Sequence, residues 1–120
     1  METLYHELGP ERIRILVDRF YEQVFNSPVI GHLFQTDKQL IKAKQYMFLT
    51  QFLGGPQLYS QQYGHPKMRM RHMPHEITQE AKEEWLRCMR VAVDSLDCSD
   101  QIKTRLFNSF PQLAQHMVNR

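Results

Sequence analysis

The segment "GGPQLYSQQYGHPKMRMRHMPHE", Gly54 to Glu76, decides how this chain is read. It shows no sustained apolar period, holds three prolines and three glycines, and carries few apolar residues. A structureless stretch of about 20 residues inside a compact domain is uncommon. Either its neighbours are wrongly assigned, or something other than protein holds the segment in place.

The neighbours read as helices. From Glu11 to Asn26 the residues Ile13, Leu16, Val17, Phe20, Tyr21 and Val24 fall at i, i+3, i+4, i+7, i+8 and i+11, one face of an α-helix. Pro10 suits its first turn, and the turn signal Asn26-Ser27-Pro28 stops it. A second helix is expected to open at Thr36 or Asp37, with Thr36 and Gln39 fitting a capping box. Its inner face is Ile41, Gln45, Phe48 and Phe52, and Gly54-Gly55-Pro56 ends it. Thr78 caps a third, with Ala81, Trp85, Cys88, Met89 and Ala92 inward and Glu80, Glu83 and Glu84 near the positive end of its dipole. Ser99 or Asp100 caps a last helix with Ile102, Leu106, Phe110, Leu113 and Met117 inward, and Pro111 predicts a kink within it.

The whole chain, 1–120, is thus expected to be a single all-α domain. No apolar run approaches the roughly 20 residues of a membrane helix. The opening "METLYHELGP" lacks the layout of a signal peptide, so a cytoplasmic protein with no membrane partner is expected. Cys88 and Cys98 are the only cysteines, which excludes a disulfide framework, a CxxC zinc clip and covalent haem attachment through CxxCH. A formal net charge of +2 is too small to argue for nucleic acid.

Several residues could carry chemistry. His72 lies in the aperiodic segment beside Met68, Met70 and Met73, where neutral imidazole could bind zinc, copper or haem iron. An ordinary surface or core-edge histidine fits the same stretch. A two-histidine metal pair with His75 is disfavoured by Pro74. Tyr21, Gln45 and Trp85 each fall on the apolar stripe of a different helix, and each carries a donor that is costly to bury alone. One reading has them satisfy one another or nearby carbonyls; the other has all three point into one cavity and share a polar guest. The cluster Lys67, Arg69 and Arg71 reads as solvated charge or as a site for phosphate or carboxylate, for which the arginine fork is suited.

Assembled, "FYEQV" at Phe20 to Val24, "FLTQFLGGPQLYSQQYGHPKMRMRH" at Phe48 to His72, "WLRCM" at Trp85 to Met89 and "HMVNR" at His116 to Arg120 resemble the group II truncated haemoglobins. The resemblance spans essentially the whole chain. It implies a truncated globin-like two-over-two helical sandwich around non-covalent haem b, with His72 as the proximal iron ligand and the aperiodic segment before it as a loop and very short helix held by the haem. It further implies Phe34 against the haem face, Phe48 and Trp85 in the haem pocket, and Tyr21, Gln45 and Trp85 as distal donors. Lys44, Arg69 and Arg71 become partners for the haem propionates. Ile41 stands where vertebrate globins hold a distal histidine; it can donate nothing and narrows the side entry.

The implied function is binding of dioxygen, carbon monoxide or nitric oxide with slow oxygen release, suited to scavenging or redox chemistry. The main alternative is an enzyme, a nitric oxide dioxygenase or peroxidase served by a reductase. A haem-free helical interaction module is a further one, and a nucleic-acid binder the weakest, since no recognition-helix pattern accompanies the basic cluster.

Overall fold

A computed structural model describes residues 3–34, 37–64 and 77–118, and these residues contain helices and turns but no strand. The helices are α1 (Leu4–Leu8), α2 (Pro10–Phe25), a 3-10 turn at Gly31–Phe34, α3 (Lys38–Phe52), α4 (Leu58–Tyr63), α5 (Gln79–Asp94), α6 (Asp100–Phe107) and α7 (Pro111–His116).

The six apolar-stripe residues of α2 are all buried, so that face forms the centre of the molecule. It packs against α5 and α3, while α5 also carries α6 and α7. Two helical layers result, α2 with α3 and α5 with α7, in contact through α2 and α5. Phe20, Leu16, Met89, Val93, Leu106 and Phe110 are all sealed from solvent at their junction. Burying one side chain of this size contributes about 1.5–3 kcal/mol.

Local chemistry sets the helix ends. Pro10 occupies the first turn of α2, where its missing N–H costs nothing. Thr78 Oγ1 accepts from Ala81 N at 3.0 Å and Ser99 Oγ from Ile102 N at 3.2 Å, so α5 and α6 begin at their expected caps. Asp37 caps α3 by accepting from Gln39 N and Leu40 N; Thr36, the other expected cap and half of the capping box, lies outside the described residues.

The Gly54-Gly55 turn closes α3 for a tertiary reason. Gly54 adopts φ +99°, and a Cβ on Gly55 would come within 2.7 Å of the Tyr5 ring and 2.9 Å of the Thr50 carbonyl oxygen. The turn is bare because α1 lies on it, with Tyr5 N donating to the Leu53 carbonyl at 3.0 Å. Neither α1 nor the 3-10 turn has a periodic signal in the sequence.

Two expectations are corrected. Pro111 does not kink one last helix. The chain breaks there into α6 and α7, because proline lacks the N–H that would continue the ladder; tight bonds from Ser109 N to Leu106 O and Phe110 N to Phe107 O close α6 instead. Phe52 is 39 % exposed, while Leu49 and Leu53 are buried, since α3 packs against α2 on one side and α4 on another and so buries two rows. A short helix in the aperiodic segment agrees with what the resemblance implies: α4 forms there, with Gln51 Oε1 accepting from Ser60 N and Gln51 Nε2 donating to Ser60 Oγ, which tie it to α3.

Candidate cofactor pocket

Between the two layers lies a mostly apolar cavity of about 70 Å³. Tyr21 of α2, Phe34 of the 3-10 turn, Gln45 and Phe48 of α3 and Trp85 of α5 all reach its wall. These are five of the residues singled out from sequence, brought together from four elements. The remainder of the wall is mainly aliphatic, including Ile30, Leu33, Ile77, Leu113 and Met117.

The aromatic side chains hold one another in place. Tyr21 is 3 % exposed and sits between Phe20 at 4.9 Å, Phe25 at 5.2 Å and Phe34 at 5.8 Å, as ring-centre separations. Trp85 is clasped edge-to-face by Phe20 at 5.0 Å and Phe110 at 5.8 Å. Such pairs add about 0.5–1.5 kcal/mol beyond the area they bury, and they fix the ring directions. Burial pushes the Tyr21 phenol above its ordinary pKa, so it keeps its proton and remains a donor throughout the physiological range.

The polar tips are unpaired. Among the described residues, Tyr21 Oη, the Gln45 amide and Trp85 Nε1 make no hydrogen bond. The reading in which they satisfy one another is therefore excluded, and three donors stand open in a largely apolar cavity. Donors left this way are costly unless a guest or water meets them.

A polar strut braces the wall from outside. Glu84, the neighbour of Trp85 in sequence, accepts from Ser27 Oγ at 2.6 Å and from Arg87 Nε and Nη2 at 2.7 and 2.8 Å. Ser27 Oγ in turn accepts from the backbone N–H groups of Val29 and Ile30. The turn that delivers Ile30 and Phe34 is thus tied to the helix that carries Trp85.

Other expected site residues do not line the cavity or lie outside the described residues. Ile41 is half-buried against the core one turn before Gln45 but is not part of the cavity wall. Lys44 directs its ammonium over the Tyr63 ring at 5.0 Å rather than into the cavity. Arg69, Arg71 and His72, with Lys67, lie outside the described residues. Lys82 reaches the wall without having been expected there, and its Nζ donates to Gln115 Oε1 at 2.9 Å, bridging α5 and α7. It follows Ala81 on the buried stripe, a proximity the sequence gave no cause to weigh.

The residues present fit a flat, mostly apolar prosthetic group. Aromatic and aliphatic walls would pack its faces, and the three open donors would serve a small polar guest on one of them. The model for bacterial-like globins matches residues 3–119 of the chain. The chain is 42% identical to group 2 truncated hemoglobin YjbI of Bacillus subtilis, over 97% of this chain and 88% of that protein. It superposes with a TM-score of 0.93 on the group II truncated hemoglobin of Bacillus anthracis, at 42% identity, covering 99% of this chain and 98% of that one. A truncated oxygen-avid haemoglobin from Bacillus subtilis superposes at 0.92, again at 42% identity, over 98% of this chain and all of that one.

Proposed function

The chain belongs to the bacterial-like globin family, among the group II truncated haemoglobins, and so binds haem b and small diatomic ligands; from this we propose that Tyr21, Gln45 and Trp85 retain dioxygen and slow its release. The observation that carries the proposal is the convergence of three unpaired donors on one apolar cavity. Haem, when bound, would supply an iron able to bind a diatomic ligand, and a histidine nitrogen of the chain would hold that iron. His72 is the residue of this chain that supplies that nitrogen, by its place in the motif that ends in "RMRH".

Each donor acts on the guest without reorganising. Tyr21 is fixed by three rings and keeps its proton, so its O–H is available for a negatively polarised oxygen whenever one is present. Preorganised donors in a water-poor site act as an oxyanion hole does. One hydrogen bond contributes about 0.5–1.5 kcal/mol and a charge-assisted bond roughly 1.5–3. Since about 1.4 kcal/mol is tenfold, two or three such donors slow oxygen release by orders of magnitude. Carbon monoxide, less polarised, gains less from them. Slow release suits scavenging or redox chemistry, with a reductase as partner, better than oxygen delivery.

The test is an absorption spectrum of the purified protein followed by stopped-flow oxygen release. A Soret band that shifts with dithionite and again with carbon monoxide is expected. Trp85→Phe, which keeps the ring contacts with Phe20 and Phe110 and removes the Nε1 donor, should speed oxygen release. An unchanged rate removes Trp85 from the network.

A further inference from the structure

The rings of this protein run without a break from the cavity to the surface of α4. Phe48, in the cavity wall, meets the Tyr59 ring edge-on at 5.9 Å. Tyr59, buried at 4 % exposure, meets Tyr63 at 5.1 Å, one turn further along the same helix. Tyr63 is half-buried and reaches solvent beneath the Lys44 ammonium. A second line of rings joins at Phe48: Trp85 contacts Phe110 at 5.8 Å, Phe110 contacts Phe52 at 6.2 Å, and Phe52 contacts Phe48 at 5.8 Å.

We propose that Phe48, Tyr59 and Tyr63 form an electron route by which the protein reduces hydroperoxides in its cavity, using one-electron donors that bind outside it. The proposal rests on haem occupying the cavity. Tyrosine suits both outer positions because a phenol gives up one electron readily when its proton can leave. Tyr63 has that outlet in solvent. Tyr21, although nearer the chemistry, does not: it is enclosed by rings with no hydrogen-bond partner among the described residues, and its proton is held. Oxidation is therefore drained outward rather than left on the donor network. Lys44 beside the exit ring favours an anionic reductant.

The balance closes with a peroxide as oxidant. Reduction of one hydrogen peroxide to two waters breaks the O–O bond and consumes two electrons and two protons. Each electron leaves Tyr63 through Tyr59 and the edge of Phe48, and the phenolic proton of Tyr63 passes to solvent. Two such events supply the two electrons, and the two protons released match the two taken up. An external donor such as ferrocyanide then returns one electron to each tyrosyl radical, which regains its proton from solvent, and ferricyanide is the product.

The test uses the haem-loaded protein, identified by its Soret band, mixed with an equimolar amount of hydrogen peroxide. Radicals are followed by freeze-quench electron paramagnetic resonance and located by spin-trapping with peptide mass spectrometry. The expected adduct lies on Tyr63. In Tyr63→Phe it should be lost from that position and appear on Tyr59, ferrocyanide oxidation should fall, and carbon monoxide binding should not change. In Tyr59→Phe the Tyr63 adduct should weaken. Tyr46, which packs under Arg14, is off the route, and Tyr46→Phe should leave the adduct in place. Adducts on Tyr5, Tyr21 or Tyr46 with none on Tyr63, or the same radical spectrum in Tyr63→Phe, would overturn the route while leaving the haem reading intact. A protein with no Soret band that refuses hemin would overturn both.

Discussion

The Ser27 hydroxyl donates to Glu84 Oε2 at 2.6 Å, across 57 positions of sequence, and so links the end of α2 to the residue beside Trp85. Tyr21 and Trp85 face one cavity where α2 packs on α5, with the Phe20 ring against both, and this bond ties the same two elements together beside Trp85.

Acid should loosen this link. The Arg87 hydrogen bonds, then that of Ser27, hold the Glu84 carboxyl down at about 2, against an ordinary 4.5. A carboxylate whose pKa is lowered on folding adds stability above its unfolded value and loses that contribution as pH falls through the folded one. The melting temperature should therefore decline as the pH drops from about 4.5 to about 2. Glu84→Gln should be less stable at neutral pH and show a flatter profile over that window. Thermal melts across pH in both proteins decide it, and equal slopes would refute the assignment.

Tyr21→Phe should separate stability from function. The phenol oxygen has no partner among the described residues, so its removal breaks no bond there and keeps the ring contacts. The variant without haem is expected to melt at the wild-type temperature or above, and with haem to release oxygen faster. A clear loss of stability would mean that the hydroxyl is bonded within the fold.

Thr50 is 1 % exposed, and its hydroxyl has no partner among the described residues, so its burial is costly. Valine has nearly the same shape and removes the buried oxygen. Thr50→Val should raise stability by about 1 kcal/mol in denaturant titration, at the low end of the cost of an unpaired buried hydroxyl. Destabilisation would point to a hidden bond.

His72→Gly should lose tight haem binding and recover it when imidazole is added, as read by the Soret band. Retention of the wild-type spectrum without imidazole would show that another residue ligates the iron.

Gly55→Ala probes the packing of α1. The added Cβ meets the Tyr5 ring at 2.7 Å and the Thr50 carbonyl at 2.9 Å, and the backbone contact cannot rotate away. Overpacking of this kind costs typically about 1–3 kcal/mol, read as a lower denaturation midpoint. An unchanged midpoint would mean that α1 lifts from the turn freely.

Helix by helix, the sequence was informative where one face alone is buried. The stripe of α2 was legible in full, because a helix with one packed face needs apolar residues at the period of the helix. Caps at Asp37, Thr78 and Ser99 were legible because a side-chain oxygen within three residues of a free N–H is a local device. α1 and α4 were not: helices of five and six residues are too short to show a period and depend on the turns and side chains they rest against. The exposure of Phe52 was equally hidden, because α3 serves two neighbours at once.

The chemistry divides along the same line. By itself the sequence determined the helical class, the three misplaced donors and the "GHPKMRMRH" motif that carries the family resemblance, since periodicity and motif are properties of neighbours in the chain. Only the tertiary structure decided that Tyr21, Gln45 and Trp85 share one cavity unpaired, that Lys44 sits over Tyr63, and that the rings from Phe48 to Tyr63 touch. Those are relations between helices, set by how apolar faces close-pack against one another, and no local pattern encodes the distance between two side chains that meet only after that packing is complete.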